Sequence, residues 1–79
     1  MKTVSMRVTF TKEFPGLGER IREVRLKVKR PLTQLAADAG ISVPHWHRIE
    51  NEKLVELPIE TLRGIEKALG TNLGVSDDA

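Results

Sequence analysis

The sequence contains no cysteine, few aromatic residues and no long hydrophobic run. Without cysteine the chain cannot form a disulfide framework or a thiolate zinc site, which fits a reducing compartment and leads us to expect a cytoplasmic protein. Residues 1 to 10 lack the continuous apolar segment of a signal peptide, and no apolar run approaches the length of a membrane span. We therefore expect no membrane partner.

Patterns that carry catalysis or bind metals are also missing from the sequence. It has no cysteine nucleophile, no glycine-rich phosphate loop and no paired carboxylates for which a shielding pocket can be argued. His45 and His47 lie two residues apart on a predicted helix, so they diverge, and no third ligand is nearby. We predict that the chain is not an enzyme and binds neither a metal nor a cofactor.

The composition is that of a small soluble domain. The chain has 79 residues, of which 39% are hydrophobic and 30% are charged, which suits one compact domain with a modest core. Its formal net charge of +2 is by itself a weak indication of a nucleic-acid partner. The cations are concentrated in one stretch: Arg20, Arg22, Arg25, Lys27, Lys29 and Arg30. Such a cluster is either a solvated helix face or an edge that faces phosphates.

The chain divides into an N-terminal arm (1–16), a central domain (17–70) and a C-terminal tail (71–79). Residues 3–11 alternate between apolar and polar side chains, which predicts a half-buried strand. A lone strand is unstable, so it needs a partner, and residues 72–75 are a candidate second strand. Residues 52–57 are predicted to form a loop.

Helical spacing of apolar residues predicts four helices in the central domain. The first runs from Leu17 to Val28 and ends before Pro31, and the second covers 32–39, with Thr33 as a candidate N-cap. The third covers 45–51, after Ser42 as N-cap. The fourth runs from Pro58 to Leu69 and is stopped by Gly70.

The segment from Leu32 to Asn51, LTQLAADAGISVPHWHRIEN, carries the functional information. Ala36 must be small because the next helix crosses it closely, and Gly40 must accept a positive φ in a tight turn. Ile41, Trp46 and Ile49 are predicted to hold the second of these helices on the core. Its outer face is then exposed and has the size that fits a DNA major groove.

This segment resembles the helix-turn-helix of the phage-repressor and Cro-like family, also called the Xre family. The resemblance covers roughly residues 17–70 and is carried by LTQ at 32–34, Ala36 with Gly40, GIS at 40–42, RIEN at 48–51 and the ETL…ALG pattern of 60–70. It implies an all-α, four-helix lambda-repressor-like helix-turn-helix domain with an added N-terminal β-strand. With Trp46 and LPIETL at 57–62, the chain is similar to small bacterial members, a cyanobacterial type among them.

The resemblance implies roles for the matching positions. Base contacts would come from Val43, Pro44, His47 and Arg48. Phosphate contacts would come from Thr33, Gln34, Asn51 and Lys53. The family pattern also implies a structural pair between Arg25 and Glu50, which ties the first helix to the third.

The sequence departs from the family pattern at the positions expected to read bases. Val43 and Pro44 offer no side-chain hydrogen bond, so base reading would rest mainly on Arg48 and His47. Each of these two side chains could instead meet only phosphate or solvent. The usual glycine after Asn51 is Glu52 here, which would place a negative charge near the DNA backbone. Trp46 is interpreted as core and not as a residue that stacks on bases.

We predict a sequence-specific double-stranded DNA-binding regulator of the repressor-like type, with helix 43–51 in the major groove. It would act as a homodimer, with the N-terminal strand as the natural dimer element. The alternative is a protein-interaction module, an antitoxin-like or adapter domain on a helix-turn-helix scaffold, that touches DNA weakly.

Overall fold

The computed structural model describes residues 7–9 and 14–74, and four helices dominate it. The elements, in chain order, are β1 (Arg7–Thr9), α1 (Leu17–Val28), α2 (Leu32–Ala39), α3 (Val43–Glu50), β2 (Glu56–Pro58) and α4 (Ile59–Leu69). The predicted fold class, a small all-α helix-turn-helix domain of four helices, is confirmed.

The strand predictions need correction. The structure describes strand only at Arg7–Thr9 within the predicted segment 3–11, whose other residues lie outside the described part. Its partner is β2, with Val8 opposite Leu57 in an antiparallel pair, although 52–57 was predicted to be a loop. Asn72 to Gly74 are not strand, and Val75 is outside the described residues. Leu73 is buried against the core instead, and the Glu66 carboxylate accepts its backbone N–H at 2.7 Å.

Helix α1 starts and ends at residues with left-handed backbone. Gly16 precedes it with φ 82°, and Lys29 follows it with φ 63°, just before Pro31. Leu17 and Ile21 are buried on its inner face, whereas Leu26 is 60% exposed. Leu26 therefore lies outside the apolar face of α1.

The turn between α2 and α3 depends on Gly40, whose φ is 78°. The N–H groups of Gly40 and Ile41 donate to the carbonyls of Ala37 (3.0 Å) and Ala36 (2.9 Å), which is the Schellman pattern of a helix end. The prediction of a positive φ at this glycine is confirmed. A side chain here would be strained by the backbone itself.

The helix starts around this turn differ from the predictions. Thr33 does not cap α2, because Pro31, with ψ 140°, is the N-cap residue and its carbonyl accepts the N–H groups of Gln34 and Leu35. Helix α3 starts at Val43, two residues before the predicted start. Ser42 caps it as predicted, since its Oγ accepts the His45 N–H at 3.2 Å.

The core forms where α4 packs against α2 and where α3 packs against α1. Gly64 on α4 allows the first contact, since a Cβ there would lie 3.0 Å from the Ala39 carbonyl oxygen. Trp46 is fully buried, and Ala36 is nearly so. The other buried apolar residues are Leu17, Ile21, Leu35, Ile49, Leu57, Leu62, Ile65, Ala68, Leu69 and Leu73.

Candidate nucleic-acid interface

Helix α3 has two faces with different tasks. Trp46 and Ile49 are fully buried and Glu50 nearly so, and together they attach the helix to the rest of the domain. Four exposed residues follow each other at the i, i+3, i+4, i+7 spacing of one helix face: Pro44, His47, Arg48 and Asn51. The helix therefore presents a continuous outer face without giving up its packing.

The inner face is fixed by a buried polar network centred on the Glu50 carboxylate. Arg25 on α1 donates to both carboxylate oxygens, from Nε to Oε2 and from Nη2 to Oε1 at 3.0 Å. The Trp46 indole N–H donates to Oε2 at 2.7 Å. Both oxygens of the Glu50 carboxylate therefore accept hydrogen bonds, although the residue is nearly excluded from water. The predicted structural pair of Arg25 and Glu50 is present in the structure.

The same contact affects the Arg25 guanidinium. Its hydrogen bond to Glu50 raises the pKa of Arg25, although partial burial acts in the opposite direction. Arginine already titrates far above neutral pH, so this cation stays charged throughout the physiological range. The arginine of the ion pair that joins α1 to α3 therefore does not lose its charge at physiological pH.

The chain leaves α3 through a second Schellman turn, in which Glu52 takes the place usual for glycine. Glu52 has φ 53°, its N–H donates to the Ile49 carbonyl at 3.1 Å, and the Lys53 N–H donates to the Arg48 carbonyl at 2.9 Å. The Glu52 carboxylate accepts the Gly18 backbone N–H at 3.0 Å. Its charge is therefore engaged with α1, whereas the sequence suggested that it would face the DNA backbone.

Gly18 permits this arrangement because α1 comes very close to the end of α3. A Cβ on Gly18 would lie 2.4 Å from the Glu50 carbonyl oxygen and 2.6 Å from that of Ile49. Sequence reasoning missed both Gly18 and the inward role of Glu52. The only local signal was a glycine inside an amphipathic helix, which often marks close packing.

The predicted phosphate contacts lie on the surface, and the predicted base contacts divide between the two faces. Thr33 and Gln34 are exposed in the first turn of α2, and Asn51 and Lys53 are exposed at the end of α3. Pro44, His47 and Arg48 share the outer face of α3. Val43 is half-buried and packs against the core, on the same side as Trp46.

The outer face is chemically simple. Within the described part of the chain, the side chains of His47, Arg48, Asn51 and Lys53 make no hydrogen bond or ion pair with another residue. The two nearest carboxylates in sequence, Glu50 and Glu52, bind α1 instead. Arg48 and Lys53 are therefore free to meet an anionic partner.

Neither a metal-binding cluster nor a membrane-spanning helix is found among the residues that the structure describes. Among residues 7–9 and 14–74, no group of three or more histidine, aspartate or glutamate side chains could hold a metal ion. Within those residues, no helix combines the length and apolar character needed to cross a bilayer.

Two short helices joined by a glycine turn, the second anchored inward and exposed outward, define a helix-turn-helix domain. A family model described as the Cro/C1-type helix-turn-helix DNA-binding domain matches residues 20–74. The chain belongs to this DNA-binding family, as the resemblance in its sequence indicated. Searches of curated proteins and of solved structures gave no significant match.

Proposed function

We propose that this domain is a sequence-specific regulator of transcription that inserts α3 into the major groove of double-stranded DNA. The main support is the arrangement of α3. Its inner side is buried through Trp46, Ile49 and Glu50, and His47 and Arg48 are exposed on its outer side. An arginine can donate two hydrogen bonds to guanine, and membership of a DNA-binding family supports this assignment. Residues Thr33, Gln34, Asn51 and Lys53 would hold the DNA backbone.

Selection of bound duplexes from a randomised DNA pool tests this proposal, with Arg48→Ala run alongside. We expect the wild type to enrich one motif and Arg48→Ala to lose discrimination at one base position, at a cost of about 1–3 kcal/mol. Arg22→Ala is the matched control, since Arg22 is equally an exposed arginine but lies on α1. Recovery of unselected sequences at both low and physiological salt would contradict sequence-specific binding.

We further propose that the regulator is a homodimer that pairs through its N-terminal strand. Among the described residues, β1 and β2 form a two-stranded sheet, and a sheet this small can be extended by a strand of a second copy of the chain. Two joined domains would also multiply a weak affinity for each half-site. Sedimentation should give a dimer mass at micromolar concentration, and enriched motifs should be palindromic. A monomer mass that DNA does not change would refute the dimer.

The alternative, a protein-interaction module, is favoured by two exposed apolar side chains. Val55 is 74% exposed and Leu26 is 60% exposed, and each would be removed from water if a partner protein covered it. Salt separates the two functions, because binding through several phosphates weakens steeply with salt and a protein interface need not do so. Affinity for DNA that hardly depends on salt or on Arg48 would favour the alternative.

A further inference from the structure

The turn that ends α3 holds a residue that its backbone disfavours. Glu52 adopts a left-handed conformation with φ 53°, which glycine reaches without strain and glutamate does not. Such strain persists when contacts elsewhere hold the residue in place. The contacts of the Glu52 side chain therefore indicate what the glutamate contributes.

Those contacts lead to the N-terminus of α1. The first N–H groups of a helix have no partner within it, and the N-cap residue of α1, Gly16, has no side chain to supply one. The Glu52 carboxylate accepts one of these groups, the Gly18 N–H, at 3.0 Å. A negative charge is also favourable at this end of a helix. Glu52 thus caps α1 from a distant part of the chain.

The cap also fixes the segment that leaves α3. Glu52 lies between Asn51 and Lys53, both exposed and both assigned to the DNA backbone in the proposed function. The Lys53 N–H donates to the Arg48 carbonyl at 2.9 Å, so the turn is fastened to the last turn of α3. An anchor on Glu52 therefore sets the direction in which its two neighbours project.

We propose that Glu52 is a positioning residue for DNA binding: its carboxylate holds the turn after α3 against α1 and so aims Lys53 at the phosphates. This inference rests on the proposed DNA-binding function. It opposes the simplest electrostatic reading, in which any carboxylate near DNA weakens binding by repulsion. The two readings predict opposite effects for removal of the same charge.

The contact itself is tested without DNA, by NMR of the intact chain. We expect the Gly18 amide to exchange with solvent faster in Glu52→Ala than in wild type, because the variant removes its hydrogen-bond acceptor, and Glu52→Gln to restore most of the protection. The amide resonance of Lys53 should also shift in Glu52→Ala. A Gly18 amide that exchanges equally fast in wild type and Glu52→Ala would overturn the proposal, whatever the chain binds.

DNA binding supplies the second test, at a temperature where circular dichroism shows each variant folded. A side-chain cap contributes about 1 kcal/mol, and the anchor cannot bias the turn by more than its own free energy, so Glu52→Ala should weaken binding by up to about fivefold. Glu52→Gln keeps an acceptor for Gly18 and should restore most of the affinity. Glu56→Ala, which removes an exposed carboxylate from β2, should bind as tightly as wild type or tighter.

The salt dependence of DNA affinity tests whether Lys53 is the residue that Glu52 positions. The slope of log affinity against log salt should become shallower by about one in Lys53→Ala and change in the same direction in Glu52→Ala. In a Lys53→Ala background, Glu52→Ala should cost little more. Additive losses, or a Glu52→Ala variant that binds at least as tightly as wild type, would overturn the proposal.

Different results would contradict DNA binding by the chain and the positioning role of Glu52. A wild-type chain without salt-dependent affinity for DNA would contradict the proposed function, and would remove the role of Glu52 in DNA binding with it. A Gly18 amide that does not respond to substitution of Glu52 would contradict only the contact between Glu52 and α1. If wild type binds DNA and Gln fails to replace Glu at position 52, the positioning role is wrong and the proposed function stands.

Discussion

At the scale of single residues, two carboxylates at the end of α3 are turned towards α1. Glu50 accepts hydrogen bonds from Arg25 and Trp46, and Glu52 accepts one from Gly18. Each carboxylate satisfies donors that would otherwise lack a partner. Both carboxylates thus contribute to folding, and the charge of Glu50 is balanced by that of Arg25.

Gly18 makes the close approach of α1 to α3 possible, and its replacement gives a prediction with an unusual sign. Glycine to alanine inside a helix normally stabilises by about 1 kcal/mol, because glycine loses more backbone entropy on folding. We expect Gly18→Ala to destabilise by about 1–3 kcal/mol, since the new Cβ would overlap two backbone oxygens that cannot rotate away.

Urea unfolding followed by circular dichroism measures this effect. Gly64→Ala is the graded control, because its Cβ would approach one backbone oxygen only to 3.0 Å. It should destabilise less than Gly18→Ala. Stabilisation of the domain by Gly18→Ala would show that the approach of the two helices is looser than described.

At the scale of elements, each of the four helices is followed by a residue in the left-handed region. Gly40 (φ 78°) and Gly70 (φ 69°) follow α2 and α4, and Lys29 (φ 63°) and Glu52 (φ 53°) take this role after α1 and α3. A side chain costs about 1–2 kcal/mol in this conformation. Glu52 compensates with its contact to Gly18, whereas no hydrogen bond of the Lys29 side chain is seen among the described residues.

Lys29→Gly should therefore stabilise the domain by about 1 kcal/mol, since it relieves strain without removing a contact. The matched control is Lys27→Gly, two residues earlier and within α1, which should destabilise by a similar amount because its backbone is helical. Thermal unfolding of both variants gives the comparison. A shift of the same sign in both would mean that the charge of the lysines, and not the backbone, decides.

Local signals in the sequence predicted most of the helical framework. Helical periodicity gave α1 and α4 to within a residue at each end, Gly40 marked the turn, and Ser42 marked the start of α3. These features depend on neighbouring residues only. The periodicity of α3 also predicted which side of it faces the core.

What the sequence could not predict depends on contacts between distant segments. Strand β2 has only three residues, too few for an alternating pattern to be recognised, and it pairs with β1, which is far away in the sequence. The inward turn of Glu52 requires α1 to be in place. Val43 was grouped with the base contacts by family position, yet it packs inward where α3 begins.

At the scale of the whole molecule, the Glu50 network joins the first helix to the third and sets the orientation of the outer face of α3. The Glu50 side chain is 3% exposed and that of Arg25 is 17% exposed. A buried ion pair adds little to the free energy of unfolding compared with apolar residues of similar size. Removal of one partner, however, leaves the other charge buried and unpaired. Its contribution lies in fixing one arrangement of the helices.

We therefore expect the effect of Glu50→Gln on stability to have opposite signs in wild type and in Arg25→Met. Arg25→Met should destabilise by about 3 kcal/mol, because it leaves the Glu50 carboxylate buried without its cation. Glu50→Gln should destabilise wild type, yet stabilise the Arg25→Met variant, since the amide keeps an acceptor for Trp46 and removes the unpaired charge. Chemical denaturation of the four chains completes the cycle. Additive losses would mean that the two residues are not coupled.

The outer face of α3 has a consequence for how this domain can diverge. Pro44, His47 and Arg48 are exposed and take no part in the core, so the folded state does not depend on their identity. Surface substitutions of this kind usually change stability by less than about 0.5 kcal/mol. Random libraries at these three positions should consist mostly of folded chains. A lineage could thus exchange one target for another through intermediates that all remain folded.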